Sequence, residues 1–207
     1  MRVWLNFYRI MRRIGIFILV IAVISCKNEN SVEGDRFYAA GNYEKAVEAY
    51  STYLRTEPRD IKTLYNRGRA YEELEKFDLA LEDFNQVIKE DPLNVNAHLS
   101  ITIDYYNRLN DYENTIFFAE KVLKLDETNA SAFTLMGKAH QKLGNLQEAL
   151  TSYNSAISVY EEYAEAYLSR GSLRIYQKQN SRACSDFRLA NSLGLAKAEE
   201  LVKRYCK

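Results

Sequence analysis

A step of 34 residues constrains this chain more than any other feature. It separates Gly34 from Gly68, Gly137 from Gly171, and Pro58 from Pro92. Ala46 to Ala80 and Ala149 to Ala183 repeat the interval, and so do the aromatic pairs Tyr50 to Phe84 and Tyr153 to Phe187. A fixed period of this length marks an array of like supersecondary repeats, each too small to bury its own apolar face. Two prolines and eight glycines in 207 residues leave little turn material for the many short connections of a β-sandwich. The expected class is therefore all-α, and a hydrophobic content of 47% is ample for a core.

The composition of the period resembles the tetratricopeptide repeat, a helix-turn-helix unit that stacks into a right-handed solenoid. The segment 61–94 carries Leu64, Gly68, Tyr71, Phe77, Ala80, Phe84, Val87 and Pro92 in the family's order. Segments 27–60, 130–163 and 164–195 carry Gly34, Gly137 and Gly171 with their matching alanines and aromatics. The resemblance implies about five repeats over residues 32–195, with units near 27–60, 61–94, 95–129, 130–163 and 164–195. Residues 196–207 should form a capping helix: Ala198, Leu201, Val202 and Tyr205 share one apolar face, and Lys197, Glu199, Glu200, Lys203 and Arg204 make the outer one polar. The third repeat departs most. Thr102 stands at the glycine position, Thr115 at the alanine position, and the next repeat follows after 35 residues. The extra residue is expected in the turn Leu109-Asn110-Asp111-Tyr112, and the two threonines are expected to wedge the helices slightly apart.

Ahead of the array lies a different object. Arg2, Arg9, Arg12 and Arg13 precede the apolar run 14–24, too short for a span of about 20 apolar residues but suited to an export signal. Val23-Ile24-Ser25-Cys26 resembles the bacterial lipobox, which implies a signal over 1–25, lipidation at Cys26 and a short tether at 26–31. An uncleaved amphiphilic anchor with an incidental Cys26 is the alternative. Met11-Arg12-Arg13 with the apolar run is by itself a complete signal, so Met1 and Met11 both remain candidate starts. Lys27 to Ser31 span at most roughly 17 Å, which would keep the array near the bilayer. All four charged residues ahead of Cys26 are basic, so of 28 basic and 28 acidic side chains the remainder keeps 24 and 28, a net charge of −4. That balance argues against a nucleic-acid partner bound through bulk positive charge.

No catalytic constellation is legible. His98 and His140 lie in different repeats without ligand spacing, and neither a phosphate loop nor a G-x-S-x-G turn occurs. The expectation is a non-enzyme without cofactor or metal. Of sixteen tyrosines, Tyr43, Tyr50, Tyr71, Tyr112, Tyr153 and Tyr167 fall on packing positions, whereas Tyr65 and Tyr106 fall where the family faces its concave groove. Carrying the groove positions over gives Lys62, Tyr65, Arg69 and Glu72, then Asn96, Leu99, Ile103 and Tyr106, then Thr134, Lys138 and Gln141. The carboxylate clamp of the chaperone-binding subgroup is missing, with Ser31, Asp35, Ser100 and Leu135 at its positions. Leu99, Ile103 and Tyr106 suit an apolar or helical segment of a partner.

Cys184 and Cys206 remain once Cys26 is assigned. Two cysteines in an exported domain usually meet, and the tail 183–187 through Cys206 resembles the endings of tetratricopeptide proteins of Bacteroidota, which implies a staple. Two free thiols stay open as the alternative. The resemblance as a whole implies an envelope lipoprotein, anchored at the outer membrane and facing the periplasm or the cell surface, that holds other envelope proteins. A structural envelope protein and a peptidoglycan- or carbohydrate-binding module are the alternatives.

Overall fold

The computed structural model describes residues 31–206. The signal, lipobox and tether read from the sequence, Cys26 included, lie outside that range except for Ser31. Eleven helices and no strand occur among the described residues: α1 (31–39), α2 (Tyr43–Leu54), α3 (Ile61–Glu73), α4 (Phe77–Glu90), α5 (Val95–Asp104), α6 (Tyr112–Leu125), α7 (Ala130–Lys142), α8 (Leu146–Val159), α9 (Ala164–Tyr176), α10 (Asn180–Ser192) and α11 (Ala196–Tyr205). The expected all-α repeat fold is what they form. They belong to two compact units, one ending at Pro92 and one beginning at Leu93.

Local chemistry sets the helix ends. Asp60, Asn94 and Asn129 cap α3, α5 and α7, each accepting a backbone N–H three residues on at 2.8–3.1 Å. Each hairpin turns through one left-handed residue, in order Gly41, Glu75, Asn110, Gly144 and Lys178. In four of the five, the N–H of the following residue returns to the carbonyl five positions back, as Lys76 does to Tyr71 at 2.8 Å and Asn145 to His140 at 2.9 Å. This is the Schellman closure of a helix.

Inside each hairpin, packing explains the period. A side chain at Gly68 would bring its Cβ to 2.7 Å from Cε1 of Phe84, and at Gly137 to 2.6 Å from Cε1 of Tyr153. The glycine is the space into which the aromatic sixteen residues later is set. Ala46, Ala80, Ala149 and Ala183 are fully buried beside it. In the N-terminal unit Ala46, Tyr50 and Ala70 form a core with Phe37, Tyr38 and Val47. In the C-terminal unit the largest cluster joins Tyr167, Leu168, Ala183, Phe187, Ala190 and Ala198.

The third repeat differs from the expectation in where its extra residue lies. The extra residue is not in the turn: α5 continues into a π-helical segment, Tyr105–Leu109, and the closing bond from Asp111 N–H reaches back six residues to Tyr105 rather than five. From glycine position to left-handed turn residue is seven positions in every other repeat but eight from Thr102 to Asn110, so the helix itself absorbs the insertion. Thr102 and Thr115, the two residues expected to wedge the helices, are both fully buried. The residue facing Thr102 in register is Ala119, not an aromatic, and both are fully buried. Where the other repeats set glycine against a ring, this register sets threonine against alanine, a pair of smaller combined volume. Thr102 further satisfies its hydroxyl by donating to the His98 carbonyl at 2.7 Å.

Two ion pairs, each on a buried carboxylate, repeat in register. Arg67 grips Asp83 with Nε at 2.8 Å and Nη2 at 2.7 Å, and its Nη1 reaches Ser51 of α2 at 3.2 Å. Arg170 holds Asp186 in the same bidentate way and reaches Asn154 of α8 at 2.8 Å. Each arginine therefore ties its own hairpin to the one before. Arg174 adds a second contact to Asp186 at 2.7 Å.

Candidate functional site

The faces presented by the odd-numbered helices carry the residues expected to meet a partner. In the N-terminal unit α1 and α3 are bridged by a polar network centred on Asp35. Its Oδ2 accepts from Lys62 Nζ at 2.8 Å, and its Oδ1 accepts from Tyr50 Oη and Asn66 Nδ2 at 2.9 Å each. Burial raises the Asp35 pKa, but the bonds from Lys62, Tyr50 and Asn66 outweigh it and hold the carboxyl below its ordinary value. The same contact raises Lys62, and burial with the Asp35 bond pushes Tyr50 well up. Beside this network lies a cleft of about 220 Å³ lined by Asp35, Tyr38, Tyr50, Asn66 and Arg69. The Arg69 guanidinium sits 5.4 Å from the Tyr38 ring centre. Tyr65 packs on Phe84 with centroids 5.6 Å apart, and Glu72 is half-buried on the same helix.

In the C-terminal unit Lys138 donates to Glu165 of α9 at 2.6 Å. This pair has the register of Asp35 and Lys62, 27 residues apart on consecutive odd-numbered helices, with the charges exchanged. Gln141 accepts from the Tyr153 hydroxyl at 2.9 Å. Asn96 is exposed, and Leu99, Ile103 and Tyr106 are half-buried. Tyr106 lies at the π-helical segment, 5.8 Å from Tyr112, and burial, then Tyr112 and Glu165, push its phenol up. Thr134 is the correction to the expected set: it is 2% exposed, so its hydroxyl is out of reach of any ligand. The small side chain at this position is used for helix packing.

What sequence reasoning missed is the network of Asp35 and Asn66 in the N-terminal unit and, separately, the Glu165 carboxylate of the C-terminal unit. Asp35 was legible only as a departure from a clamp, yet it is the carboxylate that neutralises Lys62. Opposite charges at a spacing of 27 were the available signal. His98 is buried and His140 half-buried, and among the described residues no group of three or more His, Cys, Asp or Glu could hold a metal ion. No helix among them is long and apolar enough to cross a membrane. Cys184 and Cys206 are joined by a disulfide with Cα atoms 5.4 Å apart.

A tetratricopeptide repeat profile matches residues 32–95, 65–113 and 134–190. DnaJ homolog subfamily C member 7 of Homo sapiens is 33% identical over 116 residues, which are 52% of this chain and 23% of that protein. A TPR repeat-containing protein of Methanocaldococcus jannaschii is 31% identical over 124 residues, 58% of this chain and 21% of its own length. The chain thus spans only about a fifth to a quarter of these relatives. Among solved structures, MamA from Desulfovibrio magneticus RS-1 aligns with a TM-score of 0.73 at 20% identity, covering 81% of this chain and 94% of that one. PilW, described as a widely conserved type IV pilus biogenesis factor, aligns at 0.72 and 18% identity over 81% and 77%. At such identities the likeness is one of fold.

Proposed function

The chain belongs to the tetratricopeptide repeat family, and we propose that it is a non-enzymatic interaction scaffold, tethered to a bacterial envelope membrane through lipidated Cys26, that holds a protein segment against its odd-numbered helices. In this reading residues 1–25 are the signal, 26–31 the tether, 32–195 the array and 196–207 the cap. The protein sits at the outer membrane, facing the periplasm or the cell surface, as a lipoprotein of Bacteroidota type.

The observation that carries the reading is where the charge of the proposed binding face goes. Lys62 and Lys138, its basic positions apart from Arg69, are each engaged by a carboxylate of the chain itself. A partner carboxylate arriving there would have to displace Asp35 or Glu165. Tyr65, Leu99, Ile103 and Tyr106 are left to supply contact area, which suits an apolar helical or extended segment better than an acidic terminus. The disulfide supports export, because such bonds persist in oxidising compartments. Lipidation supports firm attachment, since two or more acyl chains hold where one does not. PilW, a pilus biogenesis factor of the same fold, is consistent with an assembly role at the envelope.

Two measurements test this. Metabolic labelling with a palmitate analogue should mark the wild-type chain and not Cys26→Ala, and the variant should leave the membrane fraction. Affinity capture from envelope extract should recover a discrete protein with the wild type and at least about tenfold less with Tyr106→Ala, at unchanged helical content. Equal recovery by the two would count against the binding face, and retention on protein-free cell-wall sacculi would point to a carbohydrate ligand instead.

A further inference from the structure

We propose that α11 is a cap released by reduction: the bond between Cys184 and Cys206 latches it over an apolar face of α10, and a dithiol reductant opens that face.

Three observations show that α11 holds its place weakly without the latch. It has ten residues, below the length at which isolated helices persist in water. Its N-cap is Leu195, which offers no side-chain acceptor to the free N–H groups of the first turn. Ala198 is its one fully buried residue, while Leu201, Val202 and Tyr205 are half-exposed. What it covers is much more apolar than it is. Tyr167, Leu168, Ala183, Phe187 and Ala190 are buried in one cluster with Ala198 of α11, and the Phe187 and Tyr205 rings lie 6.2 Å apart. The face exists because α11 occupies the register of a further first helix, with Tyr205 falling 34 residues after Gly171.

The latch is placed for access from one side. Cys184 is 8% exposed on α10, whereas Cys206, one residue beyond α11, is half-exposed. A dithiol protein would attack through its thiolate at the Cys206 sulfur. The S–S bond breaks, Cys184 leaves as the thiolate and takes up a proton, and a mixed disulfide remains at Cys206. The second thiol of the reductant then closes its own disulfide and releases Cys206. The protein gains two electrons and two protons, and the reductant is oxidised by the same amount. Gly194, at φ +88°, and the bond from Leu195 N–H to the Ala190 carbonyl mark where α11 would swing away.

The experiment is hydrogen–deuterium exchange on the full chain, oxidised and in dithiothreitol, with an apolar fluorescent dye as a second readout. The expected result is exchange at least about tenfold faster over 196–206 on reduction, dye binding, and little change over α7 and α8. Cys206→Ser without reductant should match the reduced chain. Unchanged protection over 196–206 after both thiols are shown to be alkylated would overturn the proposal. So would loss of protection across the whole C-terminal unit, because the bond would then staple the fold rather than latch a cap. Failure of the reductant to reach the bond in the native chain would also overturn it.

Discussion

The exchange of glycine and ring for threonine and alanine in the third repeat predicts strong non-additivity. Ala119→Phe would restore the ring found in the other repeats but set it against Thr102. A bare Cβ at the equivalent crossings already comes within 2.6–2.7 Å of the ring edge at Gly68 and Gly137, so the overpacking should cost about 2–3 kcal/mol or more. Thr102→Gly alone places a glycine inside α5, removes a buried side chain and forfeits the bond to the His98 carbonyl. That should cost about 1–2 kcal/mol. The double variant recreates the arrangement of Gly68 and Phe84 and should lie within about 1 kcal/mol of the wild type, a coupling of roughly 2–4 kcal/mol. Equilibrium urea unfolding followed by far-ultraviolet circular dichroism, with exchange protection of α5 and α6 to localise the change, gives the cycle. Effects that add to within about 0.5 kcal/mol would refute the reasoning, since independent sites do that.

Further expectations follow from other contacts. Asp186→Asn leaves the half-buried Arg170 and Arg174 facing a neutral partner, and urea unfolding should show a loss of about 2–4 kcal/mol. Asp35→Asn, at a largely solvated pair, should change stability by under about 1 kcal/mol. The Asp35 carboxyl is held below its unfolded value of 3.8, so its contribution is complete above that pH and is lost as pH falls through the folded value. Acid titration of unfolding should therefore show a shallower loss in Asp35→Asn than in the wild type. Tyr50, raised by burial and by Asp35, contributes below its unfolded value of 10.0, and that contribution falls away as pH rises beyond it. Deleting Asn107 should return α5 to regular helix and restore the 34-residue step. Circular dichroism should show the fold kept, and amide exchange should show regular protection through the end of α5, with Arg108 and Leu109 each moved up one position.

Much of the fold was legible because packing leaves residue-level marks. A ring set into a neighbouring helix demands glycine at its contact, and four of five repeats therefore announce themselves. The third does not, since Thr102 and Ala119 stand where the other repeats have glycine and ring. Its extra residue was countable but not placeable, because a turn and a π-helical segment absorb an insertion equally well in a sequence. The pairs of Arg67 with Asp83 and Arg170 with Asp186 span sixteen residues and two helices, a spacing that no single-helix periodicity flags. The binding face was legible only by analogy with other repeats. That analogy places Thr134 in it, whereas the side chain is consumed by packing, and it treats Lys62 and Lys138 as available although each is claimed by a carboxylate 27 residues away.

Site-resolved photocrosslinking in living cells tests the central claim most directly. A photoreactive residue placed singly at Tyr65, Asn96 or Tyr106 should capture one and the same protein, and placed at Phe117 or Leu79, exposed on the even-numbered α6 and α4, should capture none of it. Capture of that protein from Phe117 or Leu79 alone, or with no difference between the two sets, would contradict a scaffold that works through its odd-numbered helices.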